Sequence, residues 1–213
     1  MSDRATRVIA IRHGETAWNR AARIQGQLDI DLNDTGLWQA RQLGLALADA
    51  GITALYASDL SRARQTAQAV AEHTRLAVVT DSGLRERGFG VFEGLSFAEV
   101  EQRWPAQALR WRQRDPAFGP AGGEVLAEFY ARSIACATRL AEQHPGETIA
   151  LVAHGGVMDC LYRAASRVSL QAPRSWELGN ASINRLLYSE QGFTLVGWND
   201  SFHLEDDAAE RAA

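Results

Sequence analysis

Residues 8–19 read VIAIRHGETAWN, a short apolar run that ends in arginine, histidine and glycine. A continuous apolar run of this length, closed by polar residues and a glycine, is the pattern of a strand buried on both faces. The same grammar returns at 149–156, IALVAHGG, where the run again ends in histidine and glycine. Further apolar runs at 52–57 (ITALYA), 76–79 (LAVV), 183–188 (INRLLY) and 193–198 (FTLVGW) are strand candidates. Between them Leu37, Ala40, Leu43 and Leu47 recur at helical spacing, as do Leu60, Ala63, Ala67 and Val70, and later Leu126, Phe129, Ser133, Ala137 and Leu140. Strand alternating with helix implies right-handed crossovers and a mostly parallel central sheet with helices on both faces. The closely spaced last two runs predict a hairpin at its end. Asp34 and Ser58 are the expected helix N-caps.

The 213 residues are 46% apolar and 23% charged, which is ordinary globular composition and fits a single domain over 1–213. Residues 96–121 fit the alternation least, because Trp104, Pro105, Trp111, Pro116, Gly119 and Pro120 break any period; they are expected to form an inserted helical flap. The acidic, alanine-rich stretch 205–213 is expected to fray. All 22 basic residues are arginine, so chemistry that needs a lysine amine, from the Walker A loop to Schiff bases, is excluded. A net charge of −4 gives no global attraction to nucleic acid or anionic lipid, and any anion site must be local. Cys136 and Cys160 lack CxxC spacing and read as buried, reduced thiols. No uncharged stretch approaches a membrane span, and the first apolar run is too short for a signal-peptide core, so a cytoplasmic protein is expected.

In an open parallel sheet the carboxyl ends of the strands share one edge, where ligands bind. His13 and His154 each end an apolar run and should meet there. Gly14, Gly155 and Gly156 allow tight turns that bring backbone amides near a ligand. Arg62 follows the ITALYA run in the first turn of the next helix, and Glu86, within LRERGFG, lies in a fourth loop on the same side. Arg12 and Arg62 could form a forked clamp on phosphate oxygens, with charged hydrogen bonds worth about 1.5–3 kcal/mol each. A neutral imidazole is a competent nucleophile toward phosphorus held between arginines, and Glu86 is the acid that sequence places on this edge.

At these residues the chain resembles the histidine phosphatase superfamily, the phosphoglycerate mutase-like proteins, in its short phosphatase-type branch. The resemblance runs through RHGETAWN at 12–19, RIQGQLDIDLNDTG at 23–36, SDLSRARQTA at 58–67, LRERGFGVFEG at 84–94, AHGG at 153–156 and WNDSFHL at 198–204, almost the whole chain. It implies that His13 is the nucleophile, Glu86 the proton donor, and Arg12, Arg62 and His154 the holders of the transferring phosphoryl group. It implies contacts from Asn19, Gln25, Gly26 and Gly155 to phosphate or substrate. It also implies catalysis without metal or other cofactor, and a three-layer α/β/α sandwich. A small phosphate ester is the expected substrate, with no nucleic-acid or membrane partner. Exposed edge features and the family habit suggest a homodimer.

The other readings are weaker. His73 and His144 fall near predicted helix ends, where solvated or dipole-stabilising roles prevail, and the resemblance suggests that His203 packs the C-terminal strand. No HExxH or paired metal motif appears. Arg103, Arg110, Arg112 and Arg114, interleaved with Trp104 and Trp111, are too few for a nucleic-acid track; the tryptophans are expected to pack and the arginines partly to line the cleft mouth. A phosphoglycerate mutase would share the intermediate, but WRQRDP at 111–116 departs from the WRRS pattern of the longer mutases, and Phe89 stands where they carry tyrosine. Hydrolysis of small phosphorylated metabolites is therefore the favoured activity, ahead of a mutase and of an inert phosphate-binding regulatory module.

Overall fold

The computed structural model describes residues 5–205. Six strands, β1 (Thr6–Arg12), β2 (Ala54–Ala57), β3 (Val78–Thr80), β4 (Thr148–Ala153), β5 (Ile183–Ser189) and β6 (Gly192–Asp200), form one sheet in the order β3-β2-β4-β1-β5-β6. The pairings from β3 across to β1 are parallel, whereas β5 runs antiparallel to β1, and β6 antiparallel to β5. Every strand candidate is present, and the last two form the expected hairpin. The helices are α1 (Ala17–Arg20), α2 (Asp34–Leu47), α3 (Ser61–Thr74), α4 (Phe97–Arg103), α5 (Pro105–Arg112), α6 (Leu126–Glu142) and α7 (Gly155–Ser166).

Alternating side chains of the central strands divide the core. Val8 and Ala10 of β1, with Ile149, Leu151 and Ala153 of β4, face α6 and α7. Ile9 and Ile11, with Ala150 and Val152, face α2 and α3. Both faces of β1 and β4 are thus apolar, which is why those strands read as continuous hydrophobic runs. The layers are α/β/α, as the resemblance implies. Burying a Leu- or Ile-sized side chain stabilises by about 1.5–3 kcal/mol, and Leu43, Leu55, Ile149 and Leu151 are fully buried.

The topology also locates the site. β1 and β4 are neighbours, but β1 leads to α2 on one face and β4 leads to α7 on the other. Their carboxyl ends therefore flank the crevice at the switch point of the sheet, where ligands bind in open α/β folds.

Helix starts differ from expectation by a residue or two. The N-cap of α2 is Asn33, whose side chain accepts from the Gly36 amide, and Asp34 is the first helical residue. Helix α3 starts after Leu60 without a side-chain cap; Ser58 accepts instead from the Leu60 amide. In NDT and SDLS several side chains can cap, and the register of tertiary packing decides which one does.

Residues 96–121 hold α4, opened by a Ser96–Glu99 capping box, and α5, with Pro105 in its first turn. Val100, Ala108 and Phe118 of this segment form a small apolar core with Phe92 just before it, against which Trp104 and Trp111 pack. The arginines meet the expectation in part: Arg110 pairs with Asp115 and Arg112 with Glu101 at the surface, while Arg114 turns inward to Asp159 and lines a pocket beside Glu86. The stretch expected to fray lies outside the described residues from 206 onward. Among the described residues no helix is long and apolar enough to cross a membrane.

Candidate active site

The parallel register carries Arg12 opposite Ala153, so the next residues, His13 and His154, emerge side by side where β1 and β4 end. The His13 amide donates to the Ala153 carbonyl at 3.0 Å, and the two imidazole centroids are 5.2 Å apart with planes inclined by 58°. The turn after His13 requires glycine: a Cβ on Gly14 would lie 2.6 Å from the Gly36 carbonyl oxygen. Helix α2 thereby packs directly on the loop that presents His13. The Gly14 amide is not left for a ligand, since it donates to Thr66 Oγ1, which itself donates to the Arg62 carbonyl.

Arg12, His13, Asn19, Gln25, Gly26, Arg62, Glu86 and Gly155 line a cleft of about 220 Å³ at this edge. His154 stands behind His13, fully buried. The residues singled out from sequence are thus brought together, although they come from five separate segments. Arg62 is also fully buried, yet its guanidinium donates to the carbonyls of Leu28 and Gly26, which aims it into the cleft. Arg12 donates to the Leu178 carbonyl at 2.6 Å. Asn19 Oδ1 accepts from the Thr16 amide and from Asn180 Nδ2, which leaves its NH2 group without a partner among the described residues.

Several buried polar atoms here have no protein partner: Arg12 Nε, Arg62 Nε, Gln25 Oε1 and both ring nitrogens of His154. Buried polar atoms without a partner occur elsewhere too, both ring nitrogens of His203 among them, but Arg12, Gln25 and Arg62 line a cleft, where a polar ligand can satisfy them. Guanidinium and imidazole donors facing a common space match an oxyanion with several acceptor oxygens.

Charge states follow from burial. Desolvation, with the charges of Arg62 and Arg12 adding to it, drives the His13 pKa well below its ordinary value. Desolvation does the same for His154, with Arg62, His13 and Arg12 contributing. Both rings are therefore neutral near pH 7. His13 Nδ1 lies 2.7 Å from the Gly14 carbonyl oxygen. A carbonyl only accepts, so Nδ1 carries the proton and Nε2 keeps its lone pair. Burial lowers the Arg12 guanidinium to about 10, against the opposing charge of Glu86, so it stays cationic at neutral pH.

Glu86 reaches the cleft from the other side. Its Oε2 accepts from the Gly156 amide at 2.9 Å and its Oε1 from the Arg87 amide at 2.8 Å. Gly156 must be small, since a Cβ there would fall 2.1 Å from Oε1. The carboxyl is thus seated against the first turn of α7. Its loop is braced by Gln27, which donates to the Glu86 carbonyl, and by Arg132 of α6, which forks onto Glu124 and donates to the carbonyls of Gly83 and Arg85. Glu93 Oε1 accepts from the amides of both Gln27 and Phe89, tying the two cleft loops together.

Thr66, Glu93, Arg132 and Asn180 were not found from sequence. Each acts through a long-range partner and carries no local pattern, although Thr66, one helical turn after Arg62, is the one that i,i+4 spacing could have exposed. His73 ends α3 and is exposed, and His144 sits at the opposite edge of the sheet. His203 lies on a 3₁₀ turn at Phe202–Leu204, outside the cleft lining. Among the described residues no group of three or more His, Cys, Asp or Glu gathers where it could hold a metal ion.

Residues 8–201 match the family model of the histidine phosphatase superfamily (branch 1). The chain is 37% identical over 203 residues to phosphoglycerate mutase-like protein 4 of Arabidopsis thaliana, covering 93% of this chain and 87% of that protein. It is 35% identical to the metal-independent phosphoserine phosphatase of the same plant, covering 93% of this chain and 83% of that protein. Among solved structures, mycobacterial glucosyl-3-phosphoglycerate phosphatase in complex with VO3 superposes with a TM-score of 0.80 at 32% identity, covering 91% of this chain and 98% of that one. With a family match from the first strand to the last, the chain belongs to the histidine phosphatase superfamily.

Proposed function

We propose that the protein is a metal-independent phosphomonoesterase that works through a phosphohistidine at His13. The observation that carries this reading is the state of His13: neutral, with Nδ1–H committed to the Gly14 carbonyl and Nε2 bearing its lone pair beside Arg12 and Arg62. The names of the relatives, a metal-independent phosphoserine phosphatase among them, support the class of reaction.

In the first step Nε2 attacks phosphorus, the P–N bond forms, and the ester P–O bond breaks opposite it. The electron pair goes to the leaving oxygen, which takes a proton from Glu86. Arg12, Arg62 and His154 stabilise the equatorial oxygens. Glu86 is the acid of this step and hands its proton to the alcohol as it leaves. In the second step water, deprotonated by the now ionised Glu86, attacks phosphorus; the P–N bond breaks and inorganic phosphate leaves. Asn19, Gln25, Gly26 and Gly155 complete the phosphate cradle. Residues 96–121 wall the cleft through Trp111.

The test is hydrolysis of a panel of phosphomonoesters with a chelator present. Release of phosphate that survives chelation and is lost in His13→Ala supports the reading; activity restored only by a divalent cation contradicts it. A mutase is the second reading, favoured by the similarity to a phosphoglycerate mutase-like protein. Mutase flux far above hydrolysis would select it.

A further inference from the structure

The loop before β5 reaches the nucleophile from behind. Asn180 does not line the cleft. Its Nδ2 lies 3.0 Å from the His13 carbonyl oxygen, 3.2 Å from the Gly14 carbonyl oxygen and 3.3 Å from Asn19 Oδ1. An amide turned the other way would set its own oxygen against acceptors, so the NH2 group must be the side that faces them.

Neighbours on both sides fix this loop. The Gly179 amide donates to Asn199 Oδ1 at 2.7 Å and Trp198 Nε1 donates to the Glu177 carbonyl at 2.9 Å, while the Leu178 carbonyl accepts from Arg12. Ala181 takes a φ of 55°, a left-handed conformation that a residue with a Cβ adopts only at a cost. Its amide joins Asn180 on the His13 carbonyl at 3.2 Å.

These contacts bear on the proton of the His13 ring. The Gly14 carbonyl accepts from Nδ1 at 2.7 Å and has a second lone pair for Asn180. Which ring nitrogen of a neutral imidazole carries the proton is set by the hydrogen bonds the ring makes. If the peptide after Gly14 turned, Nδ1 would lose its acceptor, and a proton moved to Nε2 leaves no lone pair there for phosphorus. Glycine gives that peptide freedom to turn, so it has to be held at both ends. Gln39 Oε1 holds the Glu15 amide at 2.8 Å, and Asn180 holds the carbonyl. The phosphate-binding groups have other anchors: main-chain carbonyls for Arg12 and Arg62, and the Thr16 amide for Asn19.

We propose that Asn180 is a positioning residue for the nucleophile: by holding the His13 and Gly14 carbonyls it keeps an acceptor at His13 Nδ1 and thereby the lone pair at Nε2. The inference rests on the phosphohistidine reading and adds to it the group outside the cleft that sets the reactive tautomer.

Two measurements test this in Asn180→Leu, which keeps the side-chain volume, and in Asn180→Ala, which introduces no new bulk. The first is ¹⁵N magnetic resonance of the histidine rings, with the His13 signals assigned by their loss in His13→Ala. The wild-type ring is expected to be protonated at Nδ1, and the variants to show the proton redistributed onto Nε2. A variant ring protonated at Nδ1 alone would overturn the inference. The second compares kcat for a monoester with calorimetric binding of inorganic phosphate. Turnover is expected to fall about tenfold, the low end of what losing an outer-shell partner costs at a metal-bound imidazole, because Gln39 and Thr66 stay in place. Phosphate binding should be unchanged or tighter, since an Nε2–H donates to a phosphate oxygen. Phosphate binding weakened as much as turnover would mean a distorted cleft and would also overturn the inference. The spectra need no turnover: a wild-type protein that hydrolyses no monoester would refute the phosphomonoesterase reading, and the tautomer would still decide the role of Asn180.

Discussion

The two edges of the same sheet each gather histidine, arginine or carboxylate side chains around strand ends, and they treat them oppositely. At the amino edge Tyr56 Oη lies 2.8 Å from His144 Nε2, His144 Nδ1 lies 2.9 Å from Glu147, and Thr53 donates to the same carboxylate. Thr6 Oγ1 donates to the carbonyls of Ala141 and His144. Everything there is satisfied within the protein. At the carboxyl edge His154 keeps both ring nitrogens free of protein partners, and Arg12 and Arg62 keep theirs at Nε. Hydrogen bonds completed within the protein stabilise the fold, whereas buried donors left open beside a cleft are available to a ligand.

The sharpest way to break this contrast is substitution at the open edge. His13→Ala is expected to lower phosphate release at least roughly 10⁴-fold with the fold retained, measured by steady-state turnover and circular dichroism. Retention of wild-type turnover would remove His13 from the chemistry. Glu86→Gln should cost about 10²- to 10⁴-fold with alkyl phosphates, and much less with an aryl phosphate whose leaving group needs no proton. Equal losses on both esters would deny Glu86 the role of acid.

The open edge should also make the protein acid-sensitive in a defined window. The folded-state pKa values of His13 and His154 are depressed by burial, so the unfolded chain binds more protons than the folded one once the pH falls below the ordinary histidine value of 6.5. Stability from these two rings is fully present above that value and is lost progressively below it. The carboxylates of Asp59 and Asp200, held low first by hydrogen bonds from Arg85 and Arg185, lose their contribution only as pH falls below about 3.8. Thermal unfolding followed between pH 7.5 and 5 should therefore show a falling Tm, and a flat profile would contradict the burial of the neutral rings. The smallest effect is expected at the closed edge. Tyr56→Phe should cost about 1 kcal/mol of stability by urea titration and leave kcat/KM unchanged.

What sequence made legible follows the same division. His13 and His154 could be placed because each ends an apolar run and is followed by glycine, and parallel strands bring such ends to one edge. Arg62 and Glu86 could be placed because they follow strands by a short loop. Capping was misread by one residue at Asp34 because Asn33 beside it has an equally competent side chain and takes the cap position. Of the flap arginines expected partly to line the cleft mouth, Arg114 lies beside Glu86, whereas the register of α5 turns Arg110 and Arg112 toward Asp115 and Glu101. The supports of the site, Thr66 under Gly14, Glu93 between two loops, Arg132 behind Glu86 and Asn180 on the His13 carbonyl, were not found. Their partners lie far away in sequence, and neither periodicity nor spacing encodes a contact that only the closed sheet creates.

The most direct measurement is a rapid acid-free quench of the protein during turnover of a ³²P-labelled monoester, followed by mapping of the labelled peptide. A base-stable, acid-labile phosphoryl group on His13, formed and discharged at least as fast as turnover, is the predicted result. Turnover without any labelled protein, or with the label on a residue other than His13, would contradict it.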